Sequence, residues 1–149
     1  MGAYHNILVS ATSTTTAIEV EIPAPSGAKV RLRKIKAGQS NREGDAAAEM
    51  LAYFVTTEVT TSAGSTTVSS IPIANRESAI TCKINTTQLS SGGTLQETGT
   101  FHNQAGWLEE WPDVNLAPDT AIAGIMAIKI EAPASSHTWY WTITVEVES

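Results

Sequence analysis

The chain has 149 residues, 42% of them hydrophobic and only 16% charged, which suits one compact domain with a real core and excludes a disordered polypeptide. A net charge of −6 argues against general nucleic-acid binding, which needs surplus Lys and Arg to neutralise phosphates. The single cysteine, Cys82, excludes an internal disulfide and a cysteine metal cluster.

From the N-terminus, Met1 to Thr16 reads as either an arm outside the core or the first strand of the domain. Its apolar patch Ile7-Leu8-Val9, preceded by Tyr4, is suited to adding a strand to a neighbour's sheet edge. That patch is too short for the core of a signal peptide, and no stretch approaches a membrane span, so production without secretion and no membrane partner are expected. From Ala17 to Ser149 the dominant pattern is alternation with period two, broken by Gly, Pro, Asn and Ser/Thr clusters. Ile18, Val20 and Ile22 face one way with Glu19 and Glu21 between them, and Pro23-Ala24-Pro25-Ser26-Gly27 ends that strand. Ala28 to Ile35 is the next, with Val30 and Leu32 inward and Lys29, Arg31 and Arg33 outward. Ile35 falls on the parity of the arginines, so a β-bulge is expected near Arg33-Lys34.

Gln39 to Asp45 reads as a polar turn, and Ala46 to Met50 is the one place where a helical turn competes. Leu51 to Val59 restores the alternation, Thr60 to Thr66 reads as a hairpin loop, and Val68 to Ile73 is a short strand ended by Asn75. Ile80, Cys82 and Ile84 line one face of another strand, which makes Cys82 a small buried apolar residue. Thr94 to Phe101 is a weaker strand after Ser90-Ser91-Gly92-Gly93, and Asn103 to Pro118 is the least regular part. Ile122, Met126, Ile128 and Ile130 share one face of a strand that is also apolar on its other side, through Ala121, Ala123, Ile125 and Ala127; it should lie centrally. The last strand is the clearest: Trp139, Trp141, Ile143, Val145 and Val147 alternate with Tyr140, Thr142, Thr144, Glu146 and Glu148. The odd-numbered side should pack with Ile122, Met126, Ile128 and Ile130. Many short strands and almost no helical periodicity predict an all-β sandwich or barrel in one domain.

Chemical motifs are scarce. His5, His102 and His137 are scattered outside any HxH, HExxH or CxxC spacing, so no metal, no cofactor and no catalytic residues are expected. Trp107 and Trp111 stand beside Glu109, Glu110 and Asp113. That group reads as a sugar site, as a partner contact, or as a loop whose tryptophans cap the sandwich. The basic run that includes Arg31, Arg33 and Lys34 reads as a solvated or protected sheet face, or as a docking patch for an acidic surface.

The order of features resembles a known family. Ile22-Pro23-Ala24-Pro25 leads into Val30-Arg31-Leu32-Arg33-Lys34-Ile35; Gly106-Trp107 and Trp111-Pro112 follow; a proline-preceded Ala/Ile-rich strand and Thr142-Ile143-Thr144-Val145-Glu146 close the chain. Over roughly Ala17 to Glu148 this is similar to the small jelly-roll decoration or cement proteins of tailed-bacteriophage capsids. The resemblance implies a two-sheet antiparallel jelly-roll sandwich made in the cytoplasm of an infected bacterium and added to the capsid exterior. There it would bind the major capsid protein at capsomer junctions, often as a dimer or trimer, and stabilise the shell without catalysis. Candidate contacts are Tyr4, Ile7, Leu8, Val9, Arg31, Arg33, Lys34, Trp107 and Trp111. The alternative is a receptor- or carbohydrate-binding jelly-roll module of a virion tail or fibre.

Overall fold

In the computed structural model, residues 2–13, 16–39, 48–64, 66–73, 78–133 and 137–149 are described. Eleven strands follow one another: β1 (Ala3–Ser13), β2 (Ile18–Pro23), β3 (Lys29–Gln39), β4 (Met50–Thr57), β5 (Thr67–Ser69), β6 (Ile71–Pro72), β7 (Thr81–Asn85), β8 (Thr94–His102), β9 (Trp107–Glu110), β10 (Ile125–Ile130) and β11 (His137–Glu148). They form a five-stranded sheet, β6-β1-β11-β3-β9, and a six-stranded sheet, β5-β7-β2-β10-β4-β8. All pairings are antiparallel. With β5, β6 and β7 set aside, the orders become β1-β11-β3-β9 and β2-β10-β4-β8. The chain is thus a long hairpin, with β1 to β4 running out and β8 to β11 returning, rolled into two facing sheets. That is the jelly roll.

The period-two residues make the core. Ile7, Val9, Val30, Leu32, Ile35, Trp139, Trp141, Ile143 and Val145 of the first sheet face Ile18, Val20, Ile22, Leu51, Val55, Met126, Ile128 and Ile130 of the second, all buried. β10 lies between β2 and β4, the central place its two apolar sides predict. The predicted bulge is present. Thr144 pairs with Lys34 but Val145 pairs with Leu32, leaving Arg33 as the extra residue and returning Ile35 to the inward side.

Several expectations change. Ile122 is 69% exposed and lies ahead of β10, because the chain turns at Ala121–Gly124 with Ala123 at a φ of 60° and the strand begins only at Ile125. The expected Val68-to-Ile73 strand divides. β5 pairs with β7 in the six-stranded sheet and β6 pairs with β1 in the other, so the chain crosses between sheets at Ser70. Ser70 is buried there; its hydroxyl accepts from the Ile80 amide at 2.7 Å and meets His5 Nδ1 at 2.9 Å. The irregular 103–118 stretch contains β9, and Thr60 bridges to Ser91, so Thr60 to Thr66 is more than a hairpin loop. Most of the Gln39-to-Asp45 turn, the start of Ala46 to Met50, the Asn75 stop and part of the Thr12-to-Thr16 run lie outside the described residues.

Candidate functional site

β1 pairs along its whole length with β11, from Ala3 opposite Val147 to Ser13 opposite His137, so the segment is the first strand of the sandwich rather than an arm. Ile7 and Val9 are therefore core residues, which removes them as partner contacts. Tyr4 and Leu8 take the outward parity and are 38% and 51% exposed. The register carries this face across the sheet: Leu8 lies opposite Thr142, Thr142 opposite Lys36, and Lys36 opposite Leu108. One step along, Ser10, Tyr140 and Gly38 align. Tyr140 and Leu108 are well exposed and flank an open groove of about 660 Å³. Gly38 has open space where a Cβ would stand, so its backbone floors the groove.

The basic run on the same face is neither bare nor free to dock. Arg31 donates to Glu148 at 2.7 Å and to Glu146 at 3.2 Å, Arg33 donates to Glu146 at 3.0 Å, and Lys34 lies 3.6 Å from Glu110. Burial works against the Arg31 charge, but its bonds to Glu148 and Glu146 outweigh that and hold its pKa above the ordinary value. The alternating Glu146 and Glu148 of β11 thus neutralise the alternating arginines of β3 within the chain. Lys36 alone of that run has no ion pair among the described residues.

Trp107 and Trp111 are buried, at 4% and 7% exposure, so neither offers a face for a sugar ring. Trp107 stacks on Tyr53 with ring centroids 4.1 Å apart and on Phe101 at 5.8 Å. Trp111 donates its Nε1–H to Glu97 Oε2 at 2.7 Å. The expected acidic cluster disperses: Glu110 faces Lys34, and Asp113 accepts from the Asn115 amide in a turn. Glu109 turns inward, where its Oε1 accepts from the Tyr53 hydroxyl at 2.8 Å. Glu97 of β8, opposite Val55, and Glu109 of β9, opposite Ile35, both take the inward parity. They meet across the side of the sandwich where the two sheets end. Burial and the bond to Glu109 push the Glu97 carboxyl up to about 7, against the Trp111 bond that lowers it. Burial and the Glu109 carboxylate likewise raise the Tyr53 phenol.

A second buried polar cluster had no signal in the sequence beyond two glutamates on an outward parity. Glu19 and Glu21 are 4% and 1% exposed because the loops around Ser62 and Ser90 cover them. Asn85 donates its side-chain amide to Glu19 Oε1 and Glu21 Oε2, the Ser62 amide donates to Glu21 at 3.0 Å, and Ser90 donates from its amide and hydroxyl to Glu19 at 2.7 and 2.8 Å. Burial disfavours the Glu21 charge, but the bonds from Asn85 and the Ser62 backbone prevail and hold its pKa below the ordinary carboxylate value. With donors filling most of the carboxylate oxygens, the cluster pins two loops to the outer side of the six-stranded sheet. Among the described residues no group of three or more His, Cys, Asp or Glu is placed to hold a metal ion.

No protein-family model matches the chain, and no curated protein matches it.

Proposed function

We propose that this protein is a non-enzymatic structural component of a virion, a decoration protein that binds the major capsid protein at capsomer junctions and stabilises the shell. The observation that carries the reading is the uncovered outer face of the β6-β1-β11-β3-β9 sheet. Its exposed Tyr4, Leu8, Leu108 and Tyr140 stand among threonines and internally neutralised ion pairs. Such a face suits apposition of another protein surface. Its apolar side chains gain by burial, and its arginines are already paired, so docking over them does not strip a free charge of water. Repetition over a lattice converts many weak contacts of this kind into avidity. The resemblance in strand motifs supplies the identity of the partner, and self-association as a dimer or trimer belongs to the same proposal.

The test is to add purified protein to undecorated capsids and measure occupancy and capsid melting temperature. Binding that raises the melting temperature, and is lost in Tyr140→Asp and Leu108→Asp, supports the reading; absence of binding by the wild type sinks it. A carbohydrate-binding virion module is the second reading. It now rests on the groove beside Tyr140 rather than on Trp107 and Trp111. Saturable glycan-array binding that disappears in Tyr140→Ala, without capsid binding, would favour it.

A further inference from the structure

We propose that Glu97 and Glu109 share one proton and form a pH-operated clasp across the open side of the sandwich, joining the free edge strands β8 and β9. β8 is the last strand of the six-stranded sheet and β9 the last strand of the other, so no backbone ladder ties them together. Side chains bridge the gap instead. From the first sheet's side, Glu109 Oε1 accepts the Tyr53 hydroxyl of β4, at 2.8 Å. In the other direction, Glu97 Oε2 accepts Trp111 Nε1–H from the segment after β9, at 2.7 Å.

That leaves Glu109 Oε2, which is buried and has no N–H or O–H donor. A buried carboxylate oxygen without a donor is costly. The carboxyl of Glu97 meets the Glu109 side chain across the gap. One proton on that pair turns two repelling acceptors into a donor and an acceptor, as in other closely paired carboxyls. Among the described residues the surroundings supply no cation to do the same. No ion pair among the described residues involves either carboxylate. The register neighbours Val55 and Ile35 are apolar, and the lysines of β3 take the outward parity with Glu110. His102, the other titratable group of β8, sits opposite the exposed Met50 and so on the other side of that strand. Among the described residues, the titratable groups facing the pair are thus Tyr53 and the two carboxyls themselves. The upward displacement of Glu97 to about 7 places release of the shared proton near neutrality.

The sign follows. Between the ordinary glutamate value and about 7 the folded chain holds a proton that the unfolded chain has released. Stability contributed by the clasp is therefore complete in mild acid and is lost as pH rises through that window. Above it, two carboxylates face each other and the β8 and β9 edges loosen.

Carbon-13 NMR of the Glu side-chain carboxyls in the wild-type chain tests this directly. Glu97 is expected to titrate near pH 7, and the Trp111 indole N–H resonance to move with the same midpoint. Amide hydrogen exchange at β8 and β9, corrected for intrinsic rate, should quicken by up to about tenfold per pH unit between about pH 5 and pH 7 and level off above that. Glu97→Gln, which keeps a donor for Glu109 Oε2, should remove that pH dependence. Wild-type Glu97 titrating near the ordinary glutamate value would overturn the clasp, as would unchanged exchange slopes in Glu97→Gln; if that variant fails to fold, the wild-type titration still decides.

Discussion

Glu146 is the keystone of the ion-pair ladder on the outer face. It sits between Arg31 at 3.2 Å and Arg33 at 3.0 Å, with its side chain 9% exposed and theirs 11% and 17%. Replacing it by Gln keeps one acceptor oxygen but removes the charge, leaving two guanidinium groups side by side in a half-desolvated layer. At these distances each full pair is worth about 5 kcal/mol before desolvation is subtracted, taking an effective dielectric of about 20. Breaking a buried pair by removing one partner costs about 3–5 kcal/mol. Arg31 keeps Glu148 at 2.7 Å and the new side-chain amide would retain an acceptor, so a loss of about 2–3 kcal/mol is expected from Glu146→Gln. With a urea m-value of about 2 kcal/mol/M, the unfolding midpoint should fall by about 1–1.5 M with the slope unchanged. Lys34→Met provides the contrast. It breaks a pair whose side chains are 45% and 59% exposed, and it should move the midpoint by no more than the ~0.5 kcal/mol typical of surface pairs. Equal and small effects of the two substitutions would refute the argument that β11 neutralises the basic strand from within.

Asn85→Leu should cost about 3–5 kcal/mol in thermal or urea unfolding, because it strands Glu19 and Glu21 without their shared amide donor; the Glu21 carboxyl resonance should titrate at higher pH in that variant. Gly99→Val should destabilise by about 1–3 kcal/mol and blunt the Glu97 titration, since a Cβ at Gly99 would stand 2.8 Å from the Tyr53 ring that holds Glu109; near-ultraviolet circular dichroism reports the displaced ring stack. Cys82 is fully buried and burial pushes its thiol up to about 12, so Ellman's reagent should label it only in denaturant; labelling of the native protein would contradict its placement.

Most of the core was legible because β-strands report burial through parity. Trp139 to Val145 alternate in sequence and in burial alike, and even the Arg33 bulge was visible as a parity error at Ile35. Parity fails where a residue's surroundings come from a distant loop. Glu19 and Glu21 alternate outward as expected, yet Ser62, Asn85 and Ser90 bury them from 41 to 71 residues away. It fails again at a sheet edge. The tryptophans near the acids left a surface site and a cap on the sandwich both open; β9 is an edge strand whose inward side caps the core, so Trp107 and Glu109 turn in while Leu108 and Glu110 turn out. The basic run misled for a third reason. The acids that neutralise its arginines sit on β11, more than a hundred positions away and adjacent only after the sheet forms.

The two buried glutamate groups pull stability in opposite directions along the pH axis, and their sum is predictable. Glu21 is held below its ordinary pKa by Asn85 and the Ser62 backbone. Its contribution is present above about pH 4.5 and is lost as pH falls through the folded value. Glu97 is held above its ordinary pKa, so its contribution is complete below about pH 4.5 and fades until about pH 7. Stability should therefore peak near pH 5, falling toward neutrality by an amount on the order of 1–3 kcal/mol, since the pair divides what a displacement to about 7 represents. Urea unfolding at intervals of about one unit from about pH 4 to pH 8 measures the curve. Asn85→Leu should flatten its acid limb and Glu97→Gln its neutral limb, each leaving the other intact. A wild-type curve that climbs steadily from about pH 5 to pH 8 would mean that the carboxyls of β8 and β9 are both ionised in the folded chain.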